Sequence, residues 1–249
     1  MKGESMLKGA AALVTGGARR LGTACVRLLA EEGTNVCIHY RTSGEEAEAL
    51  AAEVRDSGVK AETVRGDLSD PRGIEKLFEE VLGAVGPIDI LINNASIFHD
   101  STMLDTSIED ILENLNTNAL SPFVLARAFA KQGRPGHIIN FLDTRVMDYD
   151  RTHYAYHLSK RLFHTITRTM ALELAPSIQV NAIAPGLILP PPGKDALYLE
   201  ELAHTNPLNR FGKVEDITEA LRYLLNSTFV TGQVLYVDGG RHMRGNIYG

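Results

Sequence analysis

Three side chains in the middle of the chain, Asp143, Tyr156 and Lys160, have the types and spacing needed for proton transfer. Tyr156 and Lys160 are four residues apart, one helical turn, and so share a helix face. An ammonium beside a phenol favours the phenolate. Lys160 is therefore expected to lower the Tyr156 pKa from about 10 toward neutrality, where a tyrosine can exchange a proton during catalysis. Such a pair alone is common on helices. It gains meaning from Asp143, which follows the apolar run His137 to Leu142 directly. That places the carboxylate at the carboxyl edge of a strand, where ligands bind in open α/β sheets. Tyr154 is two residues from Tyr156 and points elsewhere on the helix.

The elements that must hold these groups alternate between apolar runs and helical periodicity. Ala10 to Val14 reads as a strand, Thr15 to Gly22 as a glycine turn, and Leu21, Ala24, Cys25, Leu28 and Leu29 as the apolar face of a helix ending near Gly33. The pattern repeats with strands at Val36 to Tyr40, Ala61 to Arg65, Ile88 to Asn93, His137 to Leu142, Ile178 to Ala182 and Gln233 to Val237. Helices are expected over Gly44 to Ser57, Ile74 to Leu82, Ile108 to Ala130, Tyr154 to Leu174 and Ile217 to Leu225. Buried runs separated by helices predict an α/β fold: one Rossmann-like domain spanning 1–249, a doubly wound, parallel, seven-stranded sheet with helices on both faces. Regularity fails at Pro190-Pro191-Pro192-Gly193, since proline lacks the amide donor that a helix interior or central strand needs. The stretch from about Leu187 to Asn209 is therefore expected to be a loop over a cleft, with a short helix allowed over 194–204.

The first glycine turn lies between a strand and a helix, where unpaired amides attract phosphate. Gly16 and Gly22 supply the backbone freedom, Leu21 lies beside the ligand, and Arg20 stands where a glycine is usual in dinucleotide turns. The second strand ends in His39-Tyr40-Arg41-Thr42-Ser43, without the acid that would bind a free ribose 2′-hydroxyl. Arg20, Arg41 and Ser43 are instead expected to bind the 2′-phosphate of NADP, because the arginine fork matches phosphate oxygens and stays charged. The other reading is a solvated surface, given Glu45 and Glu46 nearby. Asp67 and Leu68 follow the third strand, where the carboxylate either accepts from adenine or, like Asp70, caps the next helix. Asn94, Ala95 and Ser96 follow the fourth strand, either letting backbone approach the cofactor or simply making a turn.

Composition limits the remaining classes. With 25 basic and 31 acidic residues among 249, the net charge of −6 argues against a nucleic-acid or anionic-membrane partner. The two cysteines, Cys25 and Cys37, lie in apolar stretches and read as small buried thiols. Met1 to Gly9 carries no signal-like run, and no stretch approaches the roughly 20 apolar residues of a membrane span. A cytoplasmic protein without a metal site is expected.

Together, Thr15 to Gly22, Asn93-Asn94-Ala95, Tyr156-x-x-x-Lys160, Pro185-Gly186 and Thr231 to Gly240 resemble the motifs of the short-chain dehydrogenase/reductase family across the whole chain. The resemblance implies a nicotinamide cofactor, a homotetramer, cofactor contacts from His39, Tyr40, Tyr156, Lys160, Pro185 and Gly186, and a catalytic Asn118 supporting a water-linked proton relay to Lys160. Asp143 stands where the family usually has serine. With Arg20, His39-Tyr40-Arg41, Asn93 to Ser96 and Phe98, it resembles the pteridine reductase branch, which includes the dihydromonapterin reductases. That likeness implies a pterin or folate substrate, with Phe98 stacked on its ring and Asp143, Tyr156 and Leu187 in contact with it. Without the likeness, Phe98 reads as core. An ionised aspartate only accepts hydrogen bonds, which suits a ring presenting N–H donors. The expected reaction is NADPH-dependent reduction of a C=N bond. The alternatives are carbonyl reduction of a ketone or 3-oxoacyl group and, more remotely, a non-catalytic cofactor-binding scaffold.

Overall fold

The apolar runs become seven parallel strands: β1 (Ala11–Val14), β2 (Asn35–Tyr40), β3 (Ala61–Arg65), β4 (Ile90–Asn93), β5 (Gly136–Phe141), β6 (Ile178–Pro185) and β7 (Val234–Val237). They lie side by side in the order β3-β2-β1-β4-β5-β6-β7. Every neighbouring pair is parallel. The computed structural model describes residues 7–148, 151–191 and 193–243. Met1 to Met6 of the amino-terminal segment and Pro192 of the proline run lie outside the described residues.

Side chains alternate across the sheet, as a strand's period of two requires. On β1, Ala12 and Val14 join a core with Leu29, Ile38, Leu50 and Leu221, under helices α1 (Arg20–Glu31), α2 (Gly44–Arg55) and, from the end of the chain, Val214–Asn226. Ala11 and Leu13 join the opposite core with Phe78, Leu91, Phe129 and Ile138, under α3 (Ile74–Val85) and two later helices. Each fully buried Leu, Ile or Phe contributes about 1.5–3 kcal/mol, so both faces are covered by strong apolar layers.

Three departures from the sequence expectation have local reasons. β4 starts at Ile90 because Asp89 replaces a ladder bond with its side chain, accepting from the Ala11 amide at 3.0 Å, while Ile88 donates to Gln132. β6 continues to Pro185, which pairs with Val237. The helix expected over Ile108 to Ala130 is three pieces: α4 (Ile108–Leu115), a π turn (Asn116–Leu120) and α5 (Ser121–Ala130). Pro122, at the start of α5, has no N–H to return to the Asn118 carbonyl four residues back, so a regular ladder cannot pass this point. The remaining helices are α6 (Tyr154–Glu173), α7 (Ala196–Leu202), which is the short helix allowed after the proline run, and α8 (Val214–Asn226). No helix among the described residues is long and apolar enough to cross a membrane.

β1 and β4 are adjacent, and their connections leave toward opposite sides. The crevice beyond their carboxyl ends is the switch point at which doubly wound sheets bind ligands.

Candidate active site

A cleft of about 1220 Å³ opens at this switch point. Its size exceeds a typical small-ligand pocket of roughly 300–1,000 Å³ and leaves room for a dinucleotide beside a second molecule. Gly16, at φ +60°, begins the glycine turn. A Cβ at Gly22 would lie 2.1 Å from the Gly16 carbonyl oxygen, so glycine there is required by close packing inside the turn. Thr15 Oγ1 accepts from the Asn94 and Ala95 amides, and Asn94 Nδ2 donates to the Thr15 and Gly16 carbonyls at 2.9 and 3.1 Å. Asn94 is thus the clamp joining the β4 end to the turn, with Ala95 packed against Gly16.

His39 is part of the same clamp. Its Nδ1 accepts from the Gly16 amide at 3.2 Å, and its Nε2 faces the Gly66 carbonyl at 3.3 Å. Burial lowers its pKa to about 4, against the smaller raising effects of Gly66 and Asp67. The neutral ring positions the turn and supplies no cation for phosphate.

Of the other residues expected to hold cofactor, the structure gathers Leu21, Arg20, Arg41, Asp67, Leu68, Ser96, Pro185 and Gly186 along one cleft. Arg41 has no ion pair among the described residues, and its charge helps hold the Asp67 carboxylate below its usual pKa, after the larger effect of the Ser69 amide. Asp67 binds that amide at 2.9 Å, while Asp70 caps the following turn. Glu46 pairs with Arg19, away from Arg41. Tyr40 packs on the core and Ser43 stands at the start of α2, both outside the cleft lining. Arg20 adopts φ +56°, uncommon for a residue with a Cβ. Its guanidinium donates to the Pro190 and Leu189 carbonyls at 2.9 and 3.4 Å, tying the glycine turn to the loop after β6. The cleft therefore fits a phosphorylated dinucleotide. One further observation supports that fit: the buried Thr117 Oγ1 lines the cleft without a hydrogen-bond partner.

At the other end of the cleft, the Tyr156 hydroxyl donates to Asp143 Oδ2 at 3.0 Å. Asp143 Oδ1 accepts from the Arg145 amide at 2.7 Å. Lys160, buried at 2% exposure, donates to the Phe141 carbonyl at 2.8 Å, and its Nζ lies 5.7 Å from the Tyr156 ring centre. This corrects one expectation. Burial, then the Asp143 charge and hydrogen bond, push the Tyr156 pKa well above its ordinary value, with Arg145 opposing. The carboxylate in direct contact outweighs the more distant ammonium, so Tyr156 rests as a phenol with its proton shared toward Asp143.

Burial lowers Lys160 to about 8, with Asp143 opposing. Between about pH 8 and 10.4 the unfolded chain holds more protons at this site, so folding stability rises with pH there and is lost as pH falls through 8. The penalty at neutral pH is about 3 kcal/mol. In the cofactor-free protein, the stability difference between wild type and Lys160→Met is expected to shift in favour of wild type across this window. Denaturant unfolding at several pH values checks it; a pH-independent difference would contradict the buried ammonium.

Asn118, on the π turn, lies behind the cleft. Its Oδ1 accepts from the Ile97 amide and Ser96 hydroxyl, and its Nδ2 donates to the Ile97 carbonyl and to Ser159 Oγ. Its side chain, engaged at both ends, pins Ser96 and Ile97 against α6. Phe98 is 47% exposed in the cleft rather than in the core, with its ring edge-on to Tyr156 at 4.7 Å. One face is covered by His153, stacked at 4.0 Å. His153, Thr117, Arg145, Tyr198 and Arg241 also line the cleft and went unread in the sequence. Leu187 is buried at its wall, beside α7.

A doubly wound sheet with a glycine turn at its switch point, and a Tyr/Lys pair on the helix facing it, defines a dinucleotide-dependent oxidoreductase. The chain belongs to the short-chain dehydrogenase/reductase family: residues 16–242 match the family described as Enoyl-(Acyl carrier protein) reductase. A 3-oxoacyl-(acyl-carrier-protein) reductase FabG from Aquifex aeolicus is 36% identical over 249 residues, covering 95% of this chain and 99% of that one. Among solved structures, FolM alternative dihydrofolate reductase 1 from Brucella canis, complexed with NADP, superposes with a TM-score of 0.89 at 35% identity over 96% of both chains. A blue fluorescent protein from a metagenomic library, in complex with NADPH, gives 0.86 at 32% identity, covering 94% of this chain and 98% of that one.

Proposed function

We propose that this NADP-dependent reductase reduces a C=N bond in a dihydropterin or dihydrofolate. The observation that carries the reading is the Asp143 carboxylate in contact with the Tyr156 hydroxyl, beneath the half-exposed Phe98 ring. A carboxylate accepts N–H donors from a pterin ring, where the serine usual in the family would donate to a carbonyl. The similarity to a FolM reductase complexed with NADP supports both the cofactor and the substrate class. The reduced nicotinamide, when bound, supplies the hydride. The chain's own task is alignment and proton delivery. Arg20 and Arg41 hold the adenosine phosphates; Gly16, Leu21, Asp67, Leu68, Asn94, Ala95, Ser96, Pro185 and Gly186 shape the bed. Phe98 and Leu187 flank the ring. Asp143 orients its N–H groups, and the proton shared between Tyr156 and Asp143 passes to the ring nitrogen, with Lys160 offsetting the negative charge left behind.

Carbonyl reduction of a 3-oxoacyl group is the competing reading, supported by the similarity to the Aquifex aeolicus enzyme. The proposed cellular form is a cytoplasmic homotetramer, for which the exposed Ile108, Leu112 and Leu158 on the mutually packed α4 and α6 offer contact surface; light scattering giving a monomer would reject it. The function is tested by following NADPH oxidation with a dihydropterin and repeating it with NADH. Turnover with preference for NADPH is expected. Equal or better use of NADH would count against the phosphate site, and absence of pterin turnover against the substrate.

A further inference from the structure

The mouth of the cleft beyond Asp143 gathers cations in a chain of net charge −6: Arg145, Lys194 and Arg241 all line it, alongside Tyr198 of α7. Arg145 and Arg241 are 96 residues apart in the sequence and are brought together by one buried carboxylate. Asp238 Oδ1 accepts from the Gly240 amide, and Oδ2 accepts from the His242 amide at 2.8 Å and from the Thr144 hydroxyl. Its Oδ2 also meets His242 Nδ1 at 2.9 Å, and the His242 ring stacks on Tyr236. The clamp fixes Thr144, between Asp143 and Arg145, to the turn that presents Arg241. Gly239 and Gly240, at φ +64° and +86°, make that turn sharp.

Arg241 is half-buried, yet its guanidinium makes no hydrogen bond or ion pair among the described residues. Its neighbouring carboxylates are already engaged: Asp238 by these donors, Asp143 by Tyr156 and the Arg145 amide. Burial and the nearby Arg145 lower its pKa, against the smaller raising effects of Asp143, Tyr198 and Asp238, the sign of a cation only partly compensated. A partly buried guanidinium without a partner is costly, and a complementary anion recovers that cost. The position is on the Asp143 and Tyr198 side of the cleft, remote in sequence and function from the Arg41 end expected to hold the adenosine phosphate.

We propose that Arg241, with Arg145 beside it, binds an anionic group, carboxylate or phosphate, on the substrate's tail and so selects charged-tail over neutral-tail substrates. This inference rests on the pterin reading and specifies the kind of pterin.

The test compares kcat/KM of wild type, Arg241→Gln and Arg241→Lys on dihydrofolate, a dihydropterin with a phosphorylated side chain, and dihydrobiopterin, whose tail is neutral. Removing a charge-assisted contact is expected to lower the charged-to-neutral ratio roughly 10- to 100-fold in Arg241→Gln, mainly through KM, with partial recovery in Arg241→Lys. Whether dihydrofolate or the phosphorylated compound suffers more identifies the anion. NADPH binding by each variant reports its folding. In wild type, KM for the charged substrate is expected to rise with salt while that for dihydrobiopterin changes little. A ratio unchanged from wild type, or equal losses on all three substrates, overturns the inference and leaves the pterin reading standing. A wild type that reduces none of them overturns both.

Discussion

Tyr156→Phe is expected to lower kcat roughly a hundred- to ten-thousand-fold, the usual worth of a positioned proton donor, while the protein still binds NADPH. The substitution removes only the hydroxyl that donates to Asp143. The Lys160 bond to the Phe141 carbonyl needs nothing from that hydroxyl, so the bed for the cofactor keeps its shape. The expected signature is therefore a loss concentrated in kcat, read by steady-state kinetics beside a fluorescence titration of NADPH. Turnover near the wild-type rate would remove Tyr156 from the chemistry.

Asp143→Ser is expected to act on specificity as well as rate. Serine restores the group usual in the family, a donor suited to a carbonyl oxygen, and deletes the acceptor for ring N–H groups. Dihydropterin turnover should fall by about a hundredfold or more, while ketone reduction holds or increases. The same change removes the negative charge that helps raise the Tyr156 pKa, so any basic limb assigned to Tyr156 in the pH–rate profile should move to lower pH. Equal losses on pterin and ketone would show that Asp143 serves the fold or the general acid alone, without reading the substrate.

The strand and helix succession was legible because fully buried parallel strands read as apolar runs, as β1 does throughout and β4 does up to Asn93. The Asp143, Tyr156 and Lys160 constellation was legible for a related reason: a strand edge and a helical turn are fixed geometries that spacing reveals. What spacing could not reveal is which neighbour a side chain touches. Lys160 reaches a backbone carbonyl and leaves Tyr156 to Asp143, and burial together with that carboxylate reverses the expected direction of the tyrosine's shift. His39 and Asn94 stand at positions that suggest ligand contact, yet their polar atoms hold the glycine turn together. The π turn around Asn118 hides inside a run with ordinary helical periodicity, and only Pro122 hinted at it. Arg145 and Arg241 meet through the buried Asp238, a contact between segments far apart in the chain that no local pattern encodes.

The central claim, a carboxylate-read C=N substrate, is tested most directly by competition. Purified protein is given NADPH with a dihydropterin and a 3-oxoacyl thioester at equal concentrations, and the initial product ratio reports the ratio of the two kcat/KM values. The proposed function predicts that the reduced pterin dominates. Dominance of the 3-hydroxyacyl product would contradict the pterin reading while leaving the family, the fold and the Tyr156/Lys160 chemistry in place.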